Sequence, residues 1–394
     1  MCIAGLNGAI GSTVSAGLAV ANSEETVKFG MVTESPTIKK LGLDFPSLDS
    51  IMVDGWDVKK DNLYTAALNQ RICPKELIEK AKEKLGKLSP RKGYNKKIGA
   101  IKEWIQCEAN YIKQKCSQNG IKQTVIVNLC PTEPYSLQFD NDDVNWEDLR
   151  SLQLNTKGIT LSRIYFRLAI EACAHFINYT PNIAETEKLQ KLAEKKGILY
   201  CGRDGKTGQT FIKTIIAPAF RDKNLRIDGW YSTNILGNSD GVTLSDNDCM
   251  LTKRKSKSEC LRSILGYTLG GENSEYGHQV HIHYYPPRGD AKEAWDNIDF
   301  TGFMGHKMQM KINWLGQDSI LAAPSVVDLT RIVCLAAQNR KKGLLSEVSS
   351  FFKSPLTQKD EPVLHAIPDQ FNQLITYFRS NFNTIIEKEF KGKN

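Results

Sequence analysis

At 394 residues, with 41% hydrophobic and 24% charged side chains, the chain has globular composition and exceeds the size at which one core stops growing, so two closely packed domains are expected. These fractions exclude a disordered or fibrous protein. The net charge of +8 suits an anionic partner, yet the lysines are scattered and form no basic tail, so a small anionic metabolite accounts for the charge as well as nucleic acid does. Ten cysteines contain no CxxC pair, and several sit in apolar runs such as ILYC, which predicts reduced thiols in a cytoplasmic protein.

The N-terminal segment MCIAGLNGAIGSTVSAGLAVANS is small and apolar, but it has no basic region, and Asn7, Ser12 and Thr13 interrupt it. It is therefore not expected to be a signal peptide. It reads instead as strand end, tight turn and helix start. Gly5, Gly8 and Gly11 are spaced G-x-x-G-x-x-G, either a pyrophosphate-binding turn at a helix N-terminus or a glycine-rich helix cap. No run of 18 apolar residues occurs elsewhere, so no transmembrane helix is expected.

VKFGMVTE (27–34) reads as a second strand ending in Glu34, 23 residues after Gly11, near where a ribose-binding acid is expected. Residues 50–68 offer strand, turn and a helix beginning near Asp61, and 122–134 a strand and loop. KELIEKAKEKL and LSRIYFRLAIEACAHFI carry apolar residues at helical spacing. Alternation of strand and helix over the first 200 residues predicts a mostly parallel, helix-flanked sheet.

KGILYCGRDGKTGQTFIKTII (196–216) repeats the strand–turn–helix plan. It is not a triphosphate loop, because Tyr200 occupies the position where the motif needs its first glycine. Gly205, Thr207, Gly208 and Gln209 still lie where a buried strand turns into a helix, an anion site unless Thr207 is a simple cap. LTKRKSKSE (251–259) sets four cations into five positions, by charge pattern alone a solvated run. No aromatic residues interleave it as single-stranded nucleic acid would require. His278, His281 and His283 lack an accompanying carboxylate or cysteine pattern and are expected to be strand residues, not a metal centre.

GRDGKTGQT, NILGNSDGVTLSD, KRKSKSE, YYPPRGDAKEAWD, QDSILAAP and FFKSPL follow one another in that order. Together they resemble the myo-inositol-1-phosphate synthases, most closely the short archaeal and bacterial type. The resemblance runs from the Gly5–Gly11 loop through Lys353. It implies conversion of glucose 6-phosphate to inositol 3-phosphate, with NAD consumed and regenerated in one cycle: oxidation at C5, proton loss from C6, attack on the C1 aldehyde and reduction at C5. Negative charge develops on oxygen at C5 and then C1, which preorganised cations stabilise.

The family pattern assigns active-site lysines to Lys253, Lys257, Lys292 and Lys353, the first two four residues apart so that one helical face presents both. It implies Lys253 as acid/base at the C5 oxygen and Lys353 as polariser of the C1 aldehyde. Lys257 and Lys292 would hold the phosphate with Thr207, Gly208 and Gln209. Asp204, Asp318 and Ser319 match positions on the nicotinamide side, where either carboxylate could orient a lysine or cap a helix. Gly5, Asn7, Gly8, Gly11, Ser12 and Thr13 match the pyrophosphate loop, and Thr132 and Asp240 match cofactor-side positions, with Ser239 replacing the family's usual asparagine. For the ribose, the generic rule points to Glu34 and the family pattern to Asp57 of GWD; Asp57 is preferred. Some archaeal members require a divalent metal, for which Asp240 would be the neighbour.

The implied fold is α/β: a Rossmann-like dinucleotide-binding domain (1–210), an inserted α+β catalytic and tetramerisation domain (211–317), and a segment returning to the first domain (318–394). The expected assembly is a cytoplasmic homotetramer without nucleic-acid or membrane partners. The rival readings are an NAD-dependent sugar-phosphate dehydrogenase and a non-enzymatic basic binding protein.

Overall fold

The structure is a computed structural model and describes residues 1–95, 100–134, 144–152, 158–237, 260–271, 274–359 and 361–382. The chain forms two compact units, one of residues 1–205, 322–358 and 375–394, the other of 206–321 and 359–374.

The first unit is built on a seven-stranded sheet ordered β11-β6-β5-β4-β1-β2-β3. Its strands are β1 (Cys2–Ala4), β2 (Asp54–Asp57), β3 (Arg91–Lys92), β4 (Val125–Asn128), β5 (His175–Asn178), β6 (Leu199–Gly202) and β11 (Gly343–Leu344). Every pairing is parallel. From β3 to β6 this is the doubly wound dinucleotide-binding order, whose ligands bind beyond the carboxyl ends of the strands where the winding reverses, between β1 and β4. VIVN, HFIN and LYCG are buried at every position, as strands covered by helices on both faces must be.

The flanking helices show why they form where they do. Helix α1 (Ala9–Val20) follows β1 and α2 (Leu63–Gln70) follows β2; in α3 (Ile101–Gln118) Ile101, Trp104, Ile105, Ala109 and Ile112 are buried, a single apolar stripe at helical spacing. Thr160 and Thr186 cap α4 (Leu161–Ala172) and α5 (Glu187–Lys195), accepting from the Arg163 and Leu189 N–H groups. Trp56, Trp104 and Tyr165 close the core with ring centroids 5.4 to 6.2 Å apart.

Two sequence expectations differ from the structure. Residues 27–34 do not form a strand: Glu25–Lys28 and Val32–Glu34 are short 3-10 helices. The N–H groups of Val32 and Thr33 go instead to the buried carboxylate of Asp328, so they bond a side chain far along the chain and not a sheet neighbour. Burial raises that carboxyl to about 6. The 75–85 stretch breaks at Ala81 into helices Lys75–Lys80 and Lys82–Gly86.

The second unit holds a four-stranded sheet ordered β10-β9-β7-β8, made of β7 (Arg226–Leu236), β8 (His278–Tyr284), β9 (Ala291–Thr301) and β10 (Lys307–Gln317). β7 and β8 run parallel, and the other two pairs are antiparallel. Side chains alternate across it. Trp230, Ser232, Asn234, Ala294, Asp296 and Ile298 are buried on the face that receives α6 (Gly208–Asp222). On the other face Tyr231, Trp295 and Leu315 are half exposed or more.

Helix α7 (Asp318–Gln338) is long and apolar enough to cross a membrane by length and composition, although Asp328 and Arg331 interrupt its apolar run. Its apolar window is 72% buried inside the protein, which marks a core helix. The last described helix is α8 (Ile367–Asn381).

Candidate active site

The first strand turns sharply into α1 (Ala9–Val20) through residues 5–8. Gly5 has φ +92°, and the N–H groups of Gly5 and Leu6 both bond the Trp56 carbonyl on the neighbouring strand. A Cβ on Gly11 would meet the carbonyl oxygens of Leu6 and Gly5 at 2.6 and 2.7 Å, so the turn closes only around glycine. Gly8 is the N-cap and offers no capping side chain, while Ser12 and Thr13 turn their hydroxyls back to the Gly8 and Ala9 carbonyls. The first-turn N–H groups of α1 therefore remain for an anion.

Asp57 ends β2 beside this turn. Its Oδ2 accepts the Asn7 N–H at 2.8 Å and its Oδ1 the Lys59 N–H at 3.0 Å. The Asn7 amide donates to the Asp61 carbonyl at 2.7 Å, while its Oδ1 is buried with no hydrogen-bond partner among the described residues. A glycine-only turn, an uncapped helix start, an orphaned acceptor and an acid at the end of the second strand fit a dinucleotide such as NAD. Glu34 is engaged elsewhere, by Arg331 Nη1 at 2.7 Å and Lys39 Nζ at 2.9 Å. Thr132 lies half-buried in the loop after β4. Asn182 fixes that loop, accepting from the Glu133 N–H at 2.8 Å and donating to the Pro131 carbonyl at 3.0 Å.

Beyond β6 the chain turns through Asp204, whose φ of +60° is unusual for a residue with a side chain. Three backbone bonds hold it there: its N–H to the Thr180 carbonyl at 2.9 Å, its carbonyl from the Lys353 N–H at 2.6 Å, and the next N–H to the Tyr179 carbonyl at 3.1 Å. The arrangement brings Lys353 Nζ to 3.1 Å from Asp204 Oδ1. A strained backbone held this firmly is the pattern of a functional constraint.

Behind it Asn128 and Asn178, at the ends of β4 and β5, are fully buried, and Asn178 Oδ1 accepts from both Asn128 and Thr180. Sequence reasoning passed over this pair. Its signal was two apolar strands, VIVN and HFIN, each ending in the same amide.

In the second unit Thr207 is the N-cap of α6, but its hydroxyl does not cap the helix: Oγ1 donates to Asp318 Oδ1 at 2.8 Å. Lys292 Nζ lies 3.6 Å from Asp318 Oδ2, and both side chains are 15% exposed, which shields their attraction from water. Gly208 takes φ +63°, which favours glycine, and lies beside the Lys292 stem: an added Cβ would stand in ordinary contact with Lys292 Cδ and Cε at 3.6 Å. Gln209 is buried, and its amide bonds Asp296 and Asn234, so it presents its backbone, not its side chain, to any anion. Asp290, also passed over in the sequence, accepts the Ser319 N–H at 3.0 Å and hydroxyl at 2.8 Å; its place two residues before Lys292 in the GDAK motif was the available signal.

The structure thus groups Gly5, Asn7, Gly8, Gly11, Ser12, Thr13 and Asp57, pairs Asp204 with Lys353, and clusters Thr207, Gly208, Lys292 and Asp318. Lys253, Lys257 and Asp240 lie outside the described residues. The rings of His281 and His283 stack with centroids 6.4 Å apart, and among the described residues no group of three or more metal-ligating side chains assembles.

A doubly wound parallel sheet with this glycine turn and acid, in one chain with an α+β unit carrying a lysine–carboxylate cluster at a helix start, fits the class of dinucleotide-dependent α/β enzymes. The family model of myo-inositol-1-phosphate synthase matches residues 208–319. Inositol-3-phosphate synthase 1 of Bacteroides thetaiotaomicron is 31% identical over 98% of this chain and 95% of its own length. The chain belongs to the myo-inositol-1-phosphate synthase family. A relative from Populus euphratica, of the same name, is 26% identical over 96% of this chain and 84% of its own. In fold, the chain is similar to the inositol-3-phosphate synthase of Caenorhabditis elegans, with TM-score 0.86 at 23% identity over 96% of this chain and 84% of that one. It is also similar to a myo-inositol-1-phosphate synthase-related protein of Thermotoga maritima, with TM-score 0.73 at 22% identity over 96% and 97% of the two chains.

Proposed function

We propose that the protein converts D-glucose 6-phosphate to 1D-myo-inositol 3-phosphate by oxidation at C5, loss of a C6 proton, closure of the C6–C1 bond and reduction at C5. The observation that carries this reading, beside family membership, is the pair Lys353–Asp204 at 3.1 Å on a strained turn at the carboxyl end of the nucleotide-binding sheet. An ordinary hydride transfer does not require such a pair, whereas aldol closure needs a cation where the C1 aldehyde becomes an alkoxide. NAD, when bound on the Gly5–Thr13 turn with Asp57 on its ribose, would accept the C5 hydride and give it back.

The chain's own residues then divide the work. Asp204 orients the Lys353 ammonium, which polarises the C1 carbonyl and can release a proton to the new alkoxide. The first-turn N–H groups of α6 and Lys292 hold the phosphate, while Asp318 aligns Thr207 and Lys292 through its two oxygens. Lys253, as acid/base at the C5 oxygen, and Lys257, on the phosphate, complete the set by the family pattern. A divalent ion, if one serves, would neighbour Asp240, and no step of this scheme runs through it.

The exposed Tyr231, Trp295 and Leu315 face of the four-stranded sheet supports a tetramer closed through the second unit. The described cysteines are thiols, not disulfides, which supports a reducing, cytoplasmic setting. Incubation with glucose 6-phosphate and a catalytic amount of NAD, followed by identification of the phosphorylated product, tests the reading. An inositol phosphate with no net NADH is expected; stoichiometric NADH and an oxidised sugar phosphate would install a dehydrogenase instead.

A further inference from the structure

Behind the Thr207–Lys292–Asp318 cluster lies a polar centre that the proposed chemistry does not use. One oxygen of Asp296, Oδ1, accepts three hydrogen bonds: from Ser232 Oγ at 2.6 Å, Trp230 Nε1 at 2.7 Å and Gln209 Nε2 at 3.1 Å. Gln209 is held from its other end too, its Oε1 accepting from Asn234 Nδ2 at 3.0 Å. All five side chains are buried at 3% exposure or less, so a donor released here has no water to turn to.

The placement of these residues is dictated by the strand period. Residues 230, 232 and 234 alternate onto one face of β7, and the register pairs Ser232 with Asp296, Asn234 with Ala294, and Leu236 with Lys292. Asp296 and Lys292 therefore stand on one face of β9, four residues apart. Lys292 runs over Gly208, the first residue of α6, and Asp296 grips Gln209, the second. The buried ammonium of Lys213, one turn further along α6, lies near this carboxylate and over the Trp230 ring at 5.5 Å, with His278 Nε2 at 2.6 Å.

We propose that Asp296 is a positioning residue: by bonding β7 and Gln209 through one oxygen, it fixes the first turn of α6 against Lys292 and so sets the geometry of the substrate-phosphate site. Its carboxylate never touches the substrate. The proposal rests on the reading of that helix start as the phosphate site. Substrate binding should fail when the grip is lost while the cofactor site, built on other strands, is untouched.

The test uses Asp296→Asn, which keeps a carbonyl acceptor, Asp296→Leu, which removes it, and Gln209→Met, which keeps every backbone N–H and severs the same link. For each the full chain is assayed for KM and kcat with glucose 6-phosphate, competitive inhibition by inorganic phosphate, NAD affinity and thermal midpoint. Asp296→Leu and Gln209→Met are expected to raise KM and the phosphate inhibition constant together by about tenfold or more, the loss of one well-placed charge-assisted contact. The kcat should change by a smaller factor and NAD affinity not at all, and Asp296→Asn should recover most of the loss. Unchanged KM and phosphate affinity in Gln209→Met would overturn the proposal. So would losses of KM, kcat and NAD affinity in parallel with the thermal midpoint, the mark of a structural role. If the wild type binds inorganic phosphate but does not turn over glucose 6-phosphate, the functional reading fails while the phosphate arm still decides the role of Asp296.

Discussion

Replacing Asp57 by alanine should weaken NAD binding and leave glucose 6-phosphate binding nearly unchanged. Each Asp57 oxygen already accepts one backbone N–H, from Asn7 at 2.8 Å and Lys59 at 3.0 Å, and each keeps a lone pair for a ribose hydroxyl. The substitution removes the ribose contact and loosens the turn that presents α1. A hydrogen bond to a charged group contributes about 1.5–3 kcal/mol, and each 1.36 kcal/mol is tenfold, so Kd for NAD should rise about 10–150-fold. Asp57→Asn, which keeps one acceptor without the charge, should fall between. Glu34→Ala is the control: its carboxylate is engaged by Arg331 and Lys39, so its loss should lower stability and leave NAD affinity within about twofold. Calorimetric titration of NAD into the three variants measures this. A larger loss of affinity in Glu34→Ala than in Asp57→Ala would refute the assignment and move the ribose to Glu34.

Lys353→Met should impair ring closure more than the first oxidation, so that substrate added to enzyme and NAD leaves up to one reduced cofactor per site in a rapid absorbance scan; normal product formation would remove this lysine from the mechanism. Lys292→Met should raise KM for glucose 6-phosphate at least about tenfold and make residual activity less sensitive to salt, since one partner of a charge-assisted contact is gone. His175 is buried and neutral, its Nδ1 accepting the Leu199 N–H at 3.1 Å, and burial lowers its pKa from 6.5 to about 4. A depressed folded pKa stabilises above 6.5, and this is lost as pH falls toward 4. Denaturant titrations should therefore show wild type losing about 3 kcal/mol more than His175→Gln between pH 7 and pH 4. Equal losses would contradict the buried neutral imidazole.

The parts of the fold that could be read along the chain are those whose partners are local. The glycine turn, the strand ending in Asp57, and the passage from LYCG into α6 each announce themselves through adjacent residues. The 27–34 stretch does not, because its apolar run resembles a strand while its N–H groups are satisfied by Asp328, nearly 300 residues away. Asp296 was equally hidden: in AWDNIDF the strand period sets it on the apolar face with Ala294, Ile298 and Phe300, but its donors, Trp230 and Ser232, lie on a strand more than 60 residues earlier and are brought opposite only by the register with β7. The same holds for the lysine pair of the basic run, Lys253 and Lys257, whose meaning came from family motifs and not from charge pattern. The association of residues 359–374 with the second unit leaves no periodic signature in the sequence.

The central claim is that oxidation and reduction belong to one cycle at one site, and the fate of the transferred hydrogen tests it. Glucose 6-phosphate deuterated at C5 is converted with catalytic, unlabelled NAD, and the product is examined by mass spectrometry and NMR. The account predicts an inositol phosphate that keeps its deuterium on the carbon derived from C5, turnover after turnover. Deuterium accumulating in the free cofactor, with an oxidised and uncyclised sugar phosphate as product, would contradict it.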